Sequence, residues 1–248
     1  MEKLEINHSL SAKLGNSQDE CEDAIYCRSK DGNVYVVRAA IADGATTSIF
    51  SKEWANLLAK QFTQDSSTSI ASLKANVETS AETWHKHIDS LSLPWHATAK
   101  AQQGAFASLL GVELRAKGSV GQWKAIAVGD SCLFHIRNNK ILFSFPITRA
   151  ELLTNNPTLL SSKLSANNEA WQAVQFAKGR WQPEDQLLLA TDGLSDWIIR
   201  QSENGLEPWK ILANRDKENF PKWADEQRLA GKIKNDDLAF LLIKTRTR

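Results

Sequence analysis

Asp185-Gln-Leu-Leu-Leu-Ala-Thr-Asp-Gly-Leu-Ser-Asp-Trp197 is the stretch from which the rest of the chain can be read. It begins polar, passes through Leu187, Leu188, Leu189 and Ala190, and stops at Thr191-Asp192-Gly193. A short apolar run bounded in this way reads as a buried strand. Gly193 permits a sharp turn, and Leu194 to Arg200 has the composition of a helix. Asp192 therefore falls where a buried strand ends, and on a following helical turn Asp196 points to the same side. A carboxylate at the mouth of an apolar strand is unfavourable unless positive charge offsets it. Two readings of Asp192 stand on this segment alone: an acid favoured by the helix N-terminus, or one held by a cation.

The same device recurs. Val34-Tyr-Val-Val-Arg-Ala-Ala-Ile-Ala42 is apolar on both faces, as a central strand is, and ends in Asp43-Gly44. Trp123 to Val128 ends in Gly129-Asp130-Ser131, and Asn235-Asp236-Asp237 leads into the apolar run Leu238 to Ile243. Glu22 and Asp23 close a polar loop, Gly15 to Asp23, just before the apolar run Ala24 to Arg28. If these ends converge, Asp43, Asp130, Asp192, Asp236 and the Glu22–Asp23 pair crowd one place. Two unit charges 4 Å apart repel by about 4 kcal/mol at an effective dielectric near 20. Such a cluster takes up protons or binds cations. Its donors are all oxygens, which select Mg²⁺ or Mn²⁺ over Zn²⁺. A pair of such ions is a recurrent means of hydrolysing phosphate esters. The competing reading is a set of separate Asx turns at strand ends that never meet.

Outside these motifs, residues 3–14 suit an edge strand, and Lys30-Asp31-Gly32-Asn33 is a hairpin turn. Ser51 is placed to cap a helix carrying Trp54, Leu57, Leu58 and Phe62 on one face. Ile70, Leu73, Val77, Ala81, Trp84, Ile88 and Leu91 predict a long amphipathic helix. His85 and His87 lie two apart on it, on different faces, so surface positions are expected. Gln103 to Ala116 is ambiguous between helix and strand because Gly104 and Gly111 weaken a helix. Lys117 to Gly121 reads as a turn, Cys132 to Phe145 as a hairpin through Asn138-Asn139, and Pro208 to Leu229 as helical. Residues 148–180 are weakly patterned.

Bulk properties narrow the function. The 248 residues suit one large domain or two small ones, and 42% hydrophobic with 24% charged residues is ordinary for a soluble globular protein. A net charge of +1 argues against broad binding of nucleic acid or of an anionic membrane. No apolar run is long enough to span a bilayer, and Met1 to His8 lacks the regions of a signal peptide. Cys21, Cys27 and Cys132 have no metal-type spacing and suit reduced thiols, hence a cytoplasmic location. The 9 Trp residues are mostly expected in packing. Gly-Leu-Ser-Asp lacks the second Gly of a nucleophile elbow, and no Gly-rich phosphate loop with Lys is present.

Taken in order, Cys21-Glu-Asp-Ala24, Ile41-Ala-Asp-Gly-Ala45, Gly104-Ala-Phe-Ala-Ser108, Ala127-Val-Gly-Asp-Ser131, Leu188 to Asp196 and Asn235-Asp-Asp-Leu238 resemble the motifs of the type 2C metal-dependent Ser/Thr protein phosphatases, most of all divergent bacterial members. The resemblance covers about residues 15–243, so residues 1–248 are expected to form a single phosphatase domain. It implies an α+β fold, two packed antiparallel β-sheets flanked by α-helices in an αββα sandwich. It implies a centre of two Mn²⁺ or Mg²⁺ ions, with a third in some members. Asp43 would bridge both metals, with the Gly44 carbonyl a ligand of one. Asp192 and Asp236 would complete the first metal's protein ligands, and Asp43 and Asp192 are the acids on which catalysis is expected to depend. Glu22 would help hold the second metal, with Asp23 beside it, and Asp130 and Asp196 match the third site. Asp236 is preferred to Asp237 because the family places its ligand first in the pair.

The implied reaction is in-line attack of a metal-activated water on the phosphorus of phosphoserine or phosphothreonine, with no covalent enzyme intermediate. Two positions depart from the family. Gln18 stands near the place of an Arg that grips the substrate phosphate, a substitution expected to weaken phosphate binding. Ala45 stands where some members carry a leaving-group acid, a role left to water or to His8. The implied partners are a phosphoprotein substrate and a cognate Ser/Thr kinase. The alternative reading is a catalytically weak regulatory module that binds a phosphoprotein or a kinase.

Overall fold

The run Leu187-Leu-Leu-Ala190 is apolar at every position because its strand is covered on both sides. Leu187 and Leu189 face one core, and Leu188 and Ala190 face another. The computed structural model describes residues 4–30, 32, 34–64, 68–117, 120–154 and 156–245. Its elements in chain order are β1 (Leu4–Ser11), β2 (Ala24–Lys30), β3 (Tyr35–Ala42), α1 (Ser51–Gln64), α2 (Ile70–Asp89), α3 (Trp95–Ala101), β4 (Phe106–Ala107), β5 (Leu109–Lys117), β6 (Val120–Val128), β7 (Cys132–Arg137), β8 (Lys140–Phe145), β9 (Leu160–Ser161), α4 (Asn168–Gln172), β10 (Gln175–Trp181), β11 (Gln186–Ala190), α5 (Asp192–Glu203), α6 (Pro208–Ala213), α7 (Asn219–Leu229) and β12 (Leu238–Thr245).

Two five-stranded sheets form, ordered β1-β12-β11-β7-β8 and β10-β6-β5-β3-β2, with a small β4–β9 pair beside them. Every named pairing is antiparallel. Between the sheets lie Val37, Ile41, Val112, Trp123, Leu187, Leu189 and Leu241. The opposite faces of the same strands bury against helices. Ala40, Ala42 and Ile126 meet α1 and α2 through Trp54, Leu58, Phe62, Val77 and Trp84. Leu188, Phe240 and Leu242 meet α5, α6 and α7 through Ile198, Trp209, Phe220 and Trp223. This is the αββα sandwich expected from the sequence. The antiparallel registers pair Ala24 with Ala42, Cys132 with Ala190, and Ala190 with Phe240. They bring the ends of β3, β6 and β11 and the starts of β2, β7 and β12 to one end of the sandwich.

β1 is an edge strand, as expected, and Gln103–Ala116 resolves into β4 and β5. Its ambiguity had a packing cause. A Cβ at Gly111 would lie 2.4 Å from Cζ of Phe62, so the glycine is there for close helix-on-sheet approach. Pro208–Leu229 is two helices rather than one, since the Asp216 carboxylate accepts bonds from the Glu218 and Asn219 amides and starts α7 afresh. Ser51 is the first residue of α1, and its hydroxyl donates to Glu22 instead of capping the helix. Residues 148–180 contain β10, an edge strand whose Lys178 and Arg180 hid its pattern. The helix α3 was also unanticipated. The turn readings at 30–33 and 117–121 fall partly on residues 31, 33, 118 and 119, outside the described residues. Trp54, Trp84, Trp123, Trp181, Trp197, Trp209 and Trp223 are buried, whereas Trp95 is exposed. Among the described residues no helix is long and apolar enough to cross a membrane.

Replacing Gly111 with alanine should force the Phe62 ring from its seat and cost about 1–3 kcal/mol of stability, read as a lowered denaturation midpoint with unchanged slope.

Candidate metal centre

Each acid singled out in the sequence reaches the shared end of the sandwich by a different strand. Asp43 follows β3, Asp130 follows β6, and Asp192 opens α5 directly after β11. Glu22 and Asp23 immediately precede β2, and Asp236 and Asp237 precede β12. The electrostatic neighbours of Asp23, Asp43, Asp130 and Asp192 are one another, together with Asp236 and Asp237. Burial first, then Asp23, Asp192 and Asp130, raises the Asp43 carboxyl well above its usual range. Burial, then Asp236, raises Asp192, although a hydrogen bond from Asp43 partly opposes this. Burial raises Asp23 too, with Asp237, Asp192 and Asp236 adding to it. Asp130 is pushed up to about 7 by burial and then by Asp192. These aspartates therefore converge, and the reading of unrelated Asx turns fails for them, whereas the Glu22 side chain is engaged by Thr46, Ser51 and Lys13 and Asp196 by Arg200. Among the described residues, however, no three acidic, His or Cys side chains already stand grouped around one ion position.

Their present partners show what they lack. Asp23 Oδ2 accepts from the Thr191 hydroxyl at 2.9 Å, while its buried Oδ1 has no hydrogen-bond partner. Glu22 Oε2 accepts from Thr46 at 2.7 Å and stands 3.6 Å from Lys13 Nζ. Lys234 Nζ is 3.2 Å from Asp236, and Arg200 Nε lies 2.8 Å from Asp196. Asp130, Asp192, Asp196, Arg200 and Lys234 border a cavity of about 200 Å³. On the other flank Lys13, Glu22, Thr46 and Ser51 border one of about 340 Å³. An orphaned buried carboxylate oxygen, all-oxygen donors and mutually repelling acids fit hard divalent cations.

Several residues that position the acids were not singled out in the sequence. Asp237 is buried and spends both oxygens on backbone amides, Oδ1 on Lys13 and Oδ2 on Glu22, each at 2.7 Å. It ties the Glu22 loop to the start of β12, leaving Asp236 as the member of the pair that faces the other acids. Thr191 donates to Asp23 and accepts from the Ala239 amide at 2.9 Å, linking two strand ends. Ser108 bonds the Asp43 amide at 3.2 Å and Ser131 at 2.9 Å. Gly44 admits no side chain: a Cβ there would sit 2.9 Å from the Glu22 carbonyl. That crowding brings the Asp43–Gly44 backbone against Glu22. Thr191, Gly44, Ser108, Ser131 and Asp237 all stand inside motifs quoted from the sequence, but their positioning contacts are tertiary and carry no sequence signal.

Of the remaining candidates, Gln18 uses Oε1 to accept from the Ala12 amide at 3.2 Å. Ala45 follows Gly44 with only a methyl to offer. His8 sits in β1 opposite Leu241, with its pKa lowered by burial and then by Lys217. His85 and His87 are exposed on α2, as expected. All three cysteines are free, and burial raises each thiol, Cys27 to about 11 and Cys132 to about 12.

The sign of the pH effect follows from the raised acids. The folded chain holds more protons than the unfolded one between the ordinary Asp pKa near 3.9 and about 7 for Asp130. Stability of the chelated protein should therefore be fullest below that window and fall as pH rises through it. Thermal melts in EDTA should show Tm declining from about pH 5 to about pH 7.5, Mn²⁺ should raise Tm most at the upper end, and Asp130→Asn should flatten the decline. A Tm that rises across that range would contradict the crowding.

Comparison with known proteins agrees with this geometry. The sequence profile of the protein phosphatase 2C family matches residues 15–234. None of the curated proteins matches the chain. Among solved structures, the Mycobacterium tuberculosis serine/threonine phosphatase PstP/Ppp superposes with a TM-score of 0.60 at 15% identity, covering 98% of this chain and 99% of its own. Staphylococcus aureus serine/threonine phosphatase Stp1 gives 0.59 at 14% identity, covering 100% and 98%. The catalytic domain of PstP in complex with 2 manganese ions gives 0.57 at 16% identity, covering 99% and 100%. At such identities the structures establish a shared fold, and the profile establishes kinship. The chain belongs to the protein phosphatase 2C family, whose members are Mg- or Mn-dependent Ser/Thr protein phosphatases.

Proposed function

We propose that this protein removes phosphate from phosphoserine and phosphothreonine in proteins through a two-ion centre built on Asp43. The observation that carries the reading is the set of buried, mutually repelling carboxylates at the ends of β3, β6 and β11, with the Asp23 oxygen left unpaired. Asp43, the Gly44 carbonyl, Asp192 and Asp236 would hold the ions at the ends of β3 and β11 and the start of β12. Glu22 would join them, with Asp23 beside it. Asp130 and Asp196 serve a third, weaker site. The two manganese ions of the PstP catalytic domain support this count. When bound, such ions supply an activated water and positive charge for the phosphoryl oxygens.

The protein's own contribution is positioning. Asp43 and Asp192 are anchored at the ends of buried strands, so the acids keep their spacing. Lys234 pairs with Asp236 and Arg200 with Asp196. Both cations lie on exposed side chains, so Asp236 and Asp196 would be free to turn to divalent ions. Lys13, beside Glu22, is a cation at the mouth of the site where a substrate phosphate arrives. The whole chain, residues 1–248, acts as one phosphatase domain in the cytoplasm, opposing a Ser/Thr kinase.

A second reading, a weakly catalytic module that binds a phosphoprotein or kinase, is favoured by Gln18 and Ala45. Turnover of p-nitrophenyl phosphate with Mn²⁺, abolished by chelator, would separate the two. Asp43→Asn and Asp192→Asn should each lower turnover about 100-fold or more without unfolding the protein, because each removes one repelling charge. Turnover within tenfold of wild type in both would refute the assignment. Asp236→Asn should weaken Mn²⁺ binding, read by calorimetry, whereas Asp237→Ala should lower Tm by freeing the Lys13 and Glu22 amides; the reverse pattern would exchange their roles.

A further inference from the structure

The end of the sandwich opposite the acids carries a cavity of about 710 Å³, larger than either cavity at the metal centre. Volumes of this order are typical of small-molecule sites. None of its described lining residues is acidic, and three are arginines: Arg115 at the far end of β5, Arg137 at the end of β7, and Arg180 on β10. Two of these guanidinium groups are aimed from behind by buried carboxylates. Asp185 takes Arg137 Nε on Oδ1 and Nη2 on Oδ2, both at 2.8 Å, and Glu113 takes Arg115 Nε at 2.8 Å. Glu113 is shared with Arg38 at 2.9 Å. Three arginines, Arg38, Arg115 and Arg137, thus share the two carboxylates Glu113 and Asp185, and Asp185 also holds His135 Nε2 at 2.9 Å. Arg180 has no acidic partner among the described residues. The remaining wall includes Trp181, Val34 and Val120.

We propose that this cavity binds a small phosphomonoester carrying a ring, with adenosine 5′-monophosphate as the representative probe. A phosphomonoester brings a charge near −2, which matches the excess of two arginines. Guanidinium N–H groups not spent on Glu113 and Asp185 form charge-assisted bonds to phosphate oxygens. Inorganic phosphate alone fills little of the space, and the exposed side chains of Val34 and Val120 offer an apolar wall to an uncharged body. The site needs no metal and stands apart from the phosphatase centre, so it does not rest on the phosphatase reading.

The test is calorimetric titration of the intact protein in EDTA, which stops hydrolysis and removes metal-borne anion binding. Adenosine 5′-monophosphate should bind with a Kd of about 1 mM or tighter, and Arg180→Ala and Arg115→Ala should each weaken it about tenfold. Both arginines are exposed, so these variants should fold, which unchanged Tm confirms. Asp192→Asn should bind as wild type does. Adenosine and inorganic phosphate should each bind more weakly than the nucleotide. No heat at about 5 mM ligand, binding unchanged in both arginine variants, binding lost in Asp192→Asn, or phosphate matching the nucleotide would each overturn the proposal.

Discussion

Repulsion among carboxylates that the fold holds together is the constraint on which this structure turns. Asp23, Asp43, Asp130 and Asp192 all have raised pKa values, and burial is the first cause in each. Left alone, such a group would spread apart or stay protonated. It cannot spread, because Asp43 and Asp192 are fixed to the ends of strands packed on both faces, and Asp23 is tied to Thr191 beside them. β3 and β11 would have to slide against their neighbours to move Asp43 or Asp192, and one residue of slippage would turn Leu187 and Leu189 out of the inter-sheet core. Packing thus stores an electrostatic tension that divalent cations held among these acids would relieve.

The arrangement explains why so much of the molecule is devoted to covering the sheets. Tryptophans on α1, α2, α5, α6 and α7 seal the outer faces, and the inner faces seal each other. The loops between strands are held by polar contacts instead. Asp237 ties two amides of the 13–22 segment to the start of β12, and Thr191 ties Asp23 to Ala239. A rigid frame sets where the acids stand, and a hydrogen-bonded rim sets how they are turned.

What the sequence disclosed follows the same division. Apolar runs that end in Asp-Gly or Gly-Asp marked β3, β6 and β11, because a strand buried on both faces has nowhere to hide its composition. The order of those motifs then fixed the sandwich. The edge strand β10 escaped notice because its residues Gln175, Phe176 and Lys178 need not alternate cleanly at a solvent edge. The break between α6 and α7 escaped because it rests on one carboxylate, Asp216, bonding two amides. Asp237 looked redundant beside Asp236, since two adjacent acids differ in role only through which backbone amides fold over them. Lys13 and Lys234 carry no pattern at all. Their closeness to Glu22 and Asp236 arises only from tertiary contact.

A net charge of +1 conceals a polarised molecule. Acids collect where β3, β6 and β11 end, and arginines collect where β5, β7 and β10 end. The eight residues of β3 put about 23 Å between the two ends, beyond the screening length of about 8 Å at physiological ionic strength. Neither end therefore neutralises the other through solvent, and each must find its own counter-charge. At the acidic end the half-buried Lys13 and the exposed Lys234 and Arg200 supply part of it, on flexible stems that a divalent ion could displace. At the basic end Asp185 and Glu113 supply part of it from inside the wall, where no ligand can displace them. The difference decides the chemistry each end can perform. Removable counter-ions suit a centre that exchanges metals, and fixed ones suit a pocket whose shape is settled before anything enters.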